Sequence, residues 1–190
     1  ARRPSDLNYV VVSPKWDDGV AIDAGAVTWG SGMIGRSGVI SAANSLVGST
    51  AGDQVGYLGA RALSNGNYVV NSPAWDDDIT GDVGAVTWGS GTAGVVGVIS
   101  AANSLIGSTA GDFVGNDGVV PLSNGNYVVL SPFWDDGVVV DAGAATWCSG
   151  TTGRSGVISA ANSLVGSTFS DQAGYGMRAL SNGNYVVNSP

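Results

Sequence analysis

The sequence predicts an all-β protein built from tandem repeats, and two observations support this fold class. An Asn-Tyr-Val-Val segment occurs four times, each time followed at a fixed distance by Ser-Pro. The four tyrosines are spaced 59, 59 and 58 residues apart: Tyr9, Tyr68, Tyr127 and Tyr185. A fixed period of this size indicates an array of similar supersecondary units. The composition agrees, because a chain with 31 glycines, one lysine and no glutamate lacks the usual surface of a helix.

The middle copy contains four short strand-like segments, which predict one small four-stranded antiparallel sheet per repeat. The first follows Val55-Gly56 and ends at Ala62-Leu63, and the second covers 68–71. The third covers 84–88 and stops at a Gly-Ser-Gly turn. The fourth begins at Gly97-Val98-Ile99 and continues through 100–105, where Ser-Ala-Ala-Asn-Ser-Leu is compatible with a helical turn or with the end of a strand.

Turn chemistry separates these segments. Ser64-Asn65-Gly66-Asn67 predicts a tight hairpin turn, because Asn-Gly supplies the positive φ angles that two-residue turns require. Pro73 ends the second segment, since proline cannot donate to a central ladder. A polar loop at 75–82 leads into the third segment.

The repeat boundaries follow from this division. We assign residues 1–52, 53–111, 112–170 and 171–190 to four repeats, of which the first lacks its first strand and the last holds only the opening two. Natural proteins normally cover or pair exposed strand edges. We therefore expect neighbouring copies to cover the ends, either within a longer polypeptide or in a subunit assembly.

Charge and hydropathy exclude two classes of partner. All fifteen acidic residues are aspartates, against seven basic ones, and the net charge is −8. Phosphate backbones and anionic lipids are bound by clustered Lys and Arg, so nucleic acid is not an expected partner. No apolar run approaches the roughly 20 residues of a membrane-spanning helix, so membrane insertion is not expected.

The chain also lacks the usual nucleophilic machinery. It has no histidine to activate a serine or a thiol. The single cysteine, Cys148, falls where the other copies have Gly30 and Gly89, and we interpret it as a substituted glycine. The sequence therefore predicts that the protein is not an enzyme.

Tryptophans beside aspartates are the candidate ligand-binding residues. An exposed Trp ring stacks on a sugar while neighbouring polar groups bind its hydroxyls, and this pattern supports a lectin-like alternative. The opposing interpretation is that these rings pack and that the aspartates cap their own loops. A second set of tryptophans, at 29, 88 and 147, is expected to pack in the core or between repeats. The candidate residues are Trp16, Trp75, Trp134, Asp17, Asp76 and Asp135.

The order of these motifs resembles the FG-GAP repeat of integrin alpha-subunit propellers and their bacterial relatives. Val55-Gly56, Val114-Gly115 and Ala173-Gly174 stand where that family has Phe-Gly, and Ser72-Pro73 stands where it has Gly-Ala-Pro. The resemblance implies that each repeat forms a four-stranded propeller-like blade. Many family members bind calcium through carboxylates in a loop that here reads Leu-Ser-Asn-Gly-Asn. Because these carboxylates are missing, no cofactor is expected, and calcium is kept as the alternative.

The repeats are also similar in style to those of very large bacterial surface and adhesin-like proteins. This resemblance implies an extracellular structural or adhesive protein at a bacterial cell surface, as a segment of a larger array, a filament or an oligomeric propeller. The expected partners are copies of the chain or flanking repeats, with carbohydrate as the partner under the lectin-like alternative.

Overall fold

The structure, a computed structural model, describes residues 7–190, and strands and turns account for the fold of this part of the chain. The all-β prediction is confirmed, as is the tandem repetition. None of these residues belongs to a helix with the length and apolar character needed to span a membrane. The strands are β1 Tyr9–Ser13, β2 Ala26–Gly30, β3 Leu46–Val47, β4 Ala60–Ala62, β5 Tyr68–Ser72, β6 Ala85–Gly89, β7 Gly97–Val98, β8 Ser104–Ile106, β9 Val119–Pro121, β10 Tyr127–Ser131, β11 Ala144–Cys148, β12 Gly156–Val157, β13 Leu164–Val165, β14 Gly176–Ala179 and β15 Tyr185–Asn188.

Each repeat contributes one small antiparallel sheet. The second repeat orders its strands β4-β5-β6-β8, and the third orders them β9-β10-β11-β13. The first repeat supplies β1-β2-β3, and the fourth supplies the β14-β15 hairpin. Across residues 7–190 these sheets close neither into a barrel nor into a propeller.

The fourth predicted segment is divided in two. Ser100 begins a turn in which the backbone N–H groups of Asn103 and Ser104 both donate to its carbonyl oxygen. After this turn, β8 is the fourth strand of its own sheet. Before it, β7 pairs in parallel with β3 of the preceding repeat, with Gly97 opposite Leu46. β12 of the third repeat pairs with β8 of the second in the same way, so the first two junctions between repeats each have one parallel strand pair.

The hairpin turn also differs from the two-residue turn that was predicted. The Leu63 N–H donates to the Asn67 carbonyl oxygen at 2.8 Å, and the Gly66 N–H donates to the Leu63 carbonyl oxygen at 3.1 Å. Only Gly66 has a positive φ, of 90°. This arrangement is a three-residue loop in which one left-handed residue suffices, whereas the two-residue type I′ turn needs two.

The apolar clusters lie between neighbouring repeats. Tyr68 and Val70 of β5 pack with Val27 of the first repeat, whereas the intervening Val69 packs with Val129 of the third repeat. Successive strand residues point to opposite faces of a sheet, so each complete sheet is buried on both sides. A strand buried on both faces takes a continuous apolar run, which explains the Tyr-Val-Val segments.

Candidate functional site

Two of the three predicted ligand-binding tryptophans are buried. Trp75 and Trp134 are each 3% exposed and belong to the apolar clusters between repeats. Trp16, in the first repeat, is half-buried. A ring stacks on a sugar through an accessible face. Trp75 and Trp134 offer no such face in this structure, and the packing interpretation describes their surroundings.

The predicted aspartates hold the backbone of their own loops. The Asp76 carboxylate accepts a hydrogen bond from the Asp82 backbone N–H at 2.7 Å. The same bond joins Asp23 to Asp17 and Asp141 to Asp135, each at 2.8 Å. No group of three or more His, Cys, Asp or Glu residues within 7–190 has a geometry that could hold a metal ion. In these loops the first aspartate acts as a local cap.

The tip of each aspartate loop exposes one apolar side chain to solvent. Val20, Ile79 and Val138 occupy equivalent positions and are at least 95% exposed. Each tip lies in a tight turn whose two end residues form a β-bridge. In the second repeat, for example, Asp77 pairs with Thr80. The repeats therefore display one apolar loop tip each.

Two of the second set of tryptophans, Trp29 and Trp88, lie at junctions between repeats, whereas Trp147 is 40% exposed. The Trp88 indole N–H donates to the carbonyl oxygen of Gly150 in the next repeat at 3.0 Å. The Trp88 Cβ packs directly against Gly153. A Cβ added at Gly153 would lie 2.5 Å from the Trp88 Cβ, so only glycine fits there. The Asn67 side chain donates to the same Gly150 oxygen at 2.8 Å. The preceding junction repeats this arrangement with Trp29, Gly91, Gly94 and Asn8.

A buried aspartate at the start of a repeat links the last turn of the preceding repeat to the aspartate loop of its own repeat. Asp112 is fully buried, and one of its carboxylate oxygens accepts the backbone N–H groups of Ser108 and Thr109 at 2.8 and 2.9 Å. Its other oxygen accepts the N–H of Asp135, in the aspartate loop of the third repeat, at 3.0 Å. Asp53 makes the same three bonds to Ser49, Thr50 and Asp76.

Burial determines how these carboxyl groups titrate. Loss of solvent raises the pKa of Asp112 above its ordinary value of 3.8, although its three N–H donors act in the opposite direction. The same causes raise the pKa of Asp53. Asp171, the equivalent residue of the last repeat, remains accessible, and hydrogen bonds from the Thr168 hydroxyl and from neighbouring N–H groups lower its pKa.

We expect this contrast to be visible in a pH titration of the aspartate carboxyl carbons by NMR. Asp53 and Asp112 should titrate above the ordinary value of 3.8, and Asp171 below it. The three residues share one local motif, so each serves as a control for the others. Titration of all three on the same side of 3.8 would contradict the effect of burial.

Sequence reasoning missed Asp53 and Asp112 as junction residues, although a signal is present. Each copy carries Ser-Thr followed, three residues after the threonine, by aspartate: Ser49-Thr50 before Asp53, and Ser108-Thr109 before Asp112. This spacing lets the aspartate carboxylate accept hydrogen bonds from the backbone N–H groups of that serine and threonine. The third donor comes from a loop more than 20 residues further on, which local spacing does not identify.

Comparison with known proteins identifies the repeat. The sequence model of a family described as a repeat of unknown function, DUF5650, matches residues 4–57, 62–116, 121–175 and 179–190. No curated protein matches the chain.

This match overturns the resemblance to FG-GAP repeats, which is wrong: four copies of a different repeat account for the chain, and no FG-GAP repeat is found in it. The motifs behind that resemblance were Val-Gly, Asn-Gly and Ser-Pro, which mark turns and strand ends. Such short motifs report turn chemistry, which unrelated β-repeats share.

Proposed function

The chain belongs to the DUF5650 family of repeats, and we propose that it functions as a structural repeat array. The observation that carries this proposal is the repetition of one junction. β3 with β7, and β8 with β12, form the same parallel pair in the same register, with Leu46 opposite Gly97 and Leu105 opposite Gly156. Each junction also contains a buried aspartate and a tryptophan hydrogen-bonded to a glycine carbonyl of the next repeat.

The use of the polar groups supports a structural role. The carboxylates of Asp53, Asp76, Asp112 and Asp135 accept backbone N–H groups within or between repeats. Hydrogen bonds of this kind hold loops and junctions in place, and buried polar groups are normally satisfied in this way. The aspartates that the sequence suggested for ligand binding therefore hold the loops and junctions of the repeats in place.

A regular stack presents the same surface feature once per repeat. In this array the features are the exposed loop tips at Val20, Ile79 and Val138, each within two residues of a pair of aspartates. Neighbouring repeats contact each other through fixed junctions, so the tips keep fixed relative positions. We propose that the array acts as a spacer or adhesive surface through this regular display.

The proposal is tested by lengthening the stack. Residues 53–111 are duplicated once or twice within the chain, and the maximum dimension is measured by small-angle X-ray scattering together with stability in urea. We expect each added repeat to increase the dimension by the same amount and to raise the free energy of unfolding, because a stack gains one junction per repeat.

The matched control inserts a Gly/Ser segment of the same length at the same place. It should extend the chain without raising the free energy of unfolding, since it forms no junction. A maximum dimension that stays constant after two added repeats, or repeats that unfold independently of their neighbours, would contradict the array.

A further inference from the structure

The hairpin turn of each repeat contains an asparagine followed by a glycine. In the second repeat these residues are Asn65 and Gly66, and the same dipeptide recurs at 124–125 and 182–183. Asparagine is one of the thermolabile residues. Glycine has no Cβ, so its backbone nitrogen reaches the side-chain carbonyl carbon of a preceding asparagine with the least hindrance. An Asn-Gly turn is therefore a place where the side-chain amide can be lost by deamidation.

The Asn65 amide is bound to the next repeat. Its Nδ2 donates to the carbonyl oxygen of Gly150 at 2.7 Å. Gly150 is buried, and the same oxygen accepts the Asn67 Nδ2 at 2.8 Å and the Trp88 indole N–H at 3.0 Å. Three donors of the second repeat thus converge on one carbonyl oxygen of the third repeat, and one of them is the amide that deamidation removes.

Both groups that react in deamidation are engaged in hydrogen bonds in this structure. The Gly66 N–H, whose nitrogen is the nucleophile, donates to the Leu63 carbonyl oxygen at 3.1 Å. The Asn65 Oδ1 accepts the Asn67 backbone N–H at 3.1 Å. Attack on the Asn65 Cγ requires the side chain to leave Gly150, so the contact between the second and third repeats must open first. Native proteins open locally in this way.

Deamidation reverses the polarity of the contact. An aspartate at position 65 has a carboxylate where the amide was, and carboxylate oxygens accept hydrogen bonds but do not donate them. Two acceptors, the carboxylate and the Gly150 carbonyl oxygen, would then face each other. In the isoaspartate product the backbone runs through the former side-chain carbon, which adds a methylene to the turn closed by Leu63 and Asn67. Neither product restores the original hydrogen bond.

We propose that Asn65 is a deamidation site gated by this junction: the amide is lost when the second and third repeats separate, and its loss prevents the contact from forming again. The inference goes beyond the proposed array, because it assigns a chemical modification to one junction.

The reaction needs only water. The Gly66 nitrogen gives its proton to solvent and forms a bond to the Asn65 Cγ. The bond from Cγ to Nδ2 breaks, and this nitrogen takes up a proton and leaves as ammonia, which gives a cyclic imide. Water then opens the imide at either carbonyl and yields aspartate or isoaspartate. One water is consumed and one ammonia is released, and nothing is oxidised or reduced.

The first test ages the native chain in mildly alkaline buffer and follows each Asn-Gly site by peptide mass spectrometry. In concentrated urea the three sites should react at equal rates, because each lies in the same Ser-Asn-Gly-Asn-Tyr segment. In the folded chain Asn65 should react at least about tenfold more slowly than in urea, because only the open fraction reacts. Equal rates at Asn65 in the folded and the unfolded chain would overturn the gating.

Trp88→Phe tests whether this particular junction is the gate. The substitution removes one donor to the Gly150 carbonyl oxygen and keeps an aromatic ring. We expect it to raise the rate of deamidation at Asn65 severalfold. Asn124, whose amide donates to the Gly183 carbonyl oxygen at 3.3 Å, is the reference in the same sample. An unchanged rate at Asn65, or an equal increase at both asparagines, would contradict gating by this junction.

Asn65→Asp tests the consequence of the modification, because it places the aspartate product at the junction. We expect a lower urea midpoint than that of the native chain. Ser64→Asp adds the same charge at the adjacent exposed position and should leave the midpoint unchanged. Equal midpoints for the two variants would show that loss of the amide does not weaken the junction. The duplicated chains test the array separately, since their elongation does not depend on deamidation.

Discussion

Gly84→Ala is expected to lower the free energy of unfolding by about 2–5 kcal/mol, from backbone strain and overpacking together. Gly84 has a φ of 73°, and a Cβ at this position would lie 2.3 Å from the backbone nitrogen of Val114 and 2.8 Å from the carbonyl carbon of Phe113. These atoms are backbone, and the Val114 N–H also donates to the Val83 carbonyl oxygen at 3.1 Å. The substitution therefore forces apart the contact between the second repeat and the start of the third.

Gly137→Ala separates the two contributions. Gly137 has a similar φ, of 62°, but a Cβ there would meet no atom within 4 Å. Its substitution should cost only the strain of a left-handed alanine, about 1–2 kcal/mol. Urea denaturation of both variants measures the difference, and equal losses would show that the approach of Val114 does not constrain Gly84.

Local chemistry in the sequence predicted the strands well. The segments predicted at 68–71 and 84–88 correspond to β5 and β6, each within one residue of the predicted bounds, and the chain leaves β5 at Pro73. These features depend on residues close together in the chain. Strand propensity, a proline that cannot donate and a glycine turn act wherever the repeat occurs.

Contacts between repeats were not predictable in the same way. The Gly97-Val98 segment looked like the start of a strand in its own sheet, yet it pairs in parallel with the preceding repeat. Parallel pairing across repeats leaves no local turn signal, because its partner lies about 50 residues away.

The tryptophans illustrate the same limit. Trp75 stands beside aspartates in the sequence, which is typical of an exposed ring, but it is buried within a cluster between repeats. Trp147, which ends an apolar strand, is 40% exposed. Its equivalents, Trp29 and Trp88, each pack on the repeat that follows them. Burial of these rings is decided by the neighbouring repeat and not by adjacent residues.

Asp112→Ala is expected to lower the free energy of unfolding by about 2–4 kcal/mol, because it leaves three backbone N–H groups without their acceptor inside the protein. The donors Ser108 and Thr109 end the second repeat, whereas Asp135 lies in the aspartate loop of the third repeat, which Asp112 begins. Alanine also removes the penalty of a buried carboxylate, which offsets part of the loss. Asp112→Asn should also be destabilising. Both oxygens of the carboxylate accept backbone N–H groups, and the amide replaces one of them with an NH₂ group, which is itself a donor.

Asp171→Ala is the matched control, because Asp171 caps the same Ser-Thr turn. Its carboxylate accepts the N–H groups of Ser167 and Thr168, and the Thr168 hydroxyl, but none of its hydrogen bonds comes from a following aspartate loop. Urea denaturation of the two variants should show a clearly smaller loss for Asp171→Ala. Equal losses would mean that Asp112 acts only as a turn cap, and that the bond to Asp135 contributes nothing to the free energy of unfolding. A larger loss for Asp112→Ala would identify this carboxylate as a link through which one repeat stabilises the next.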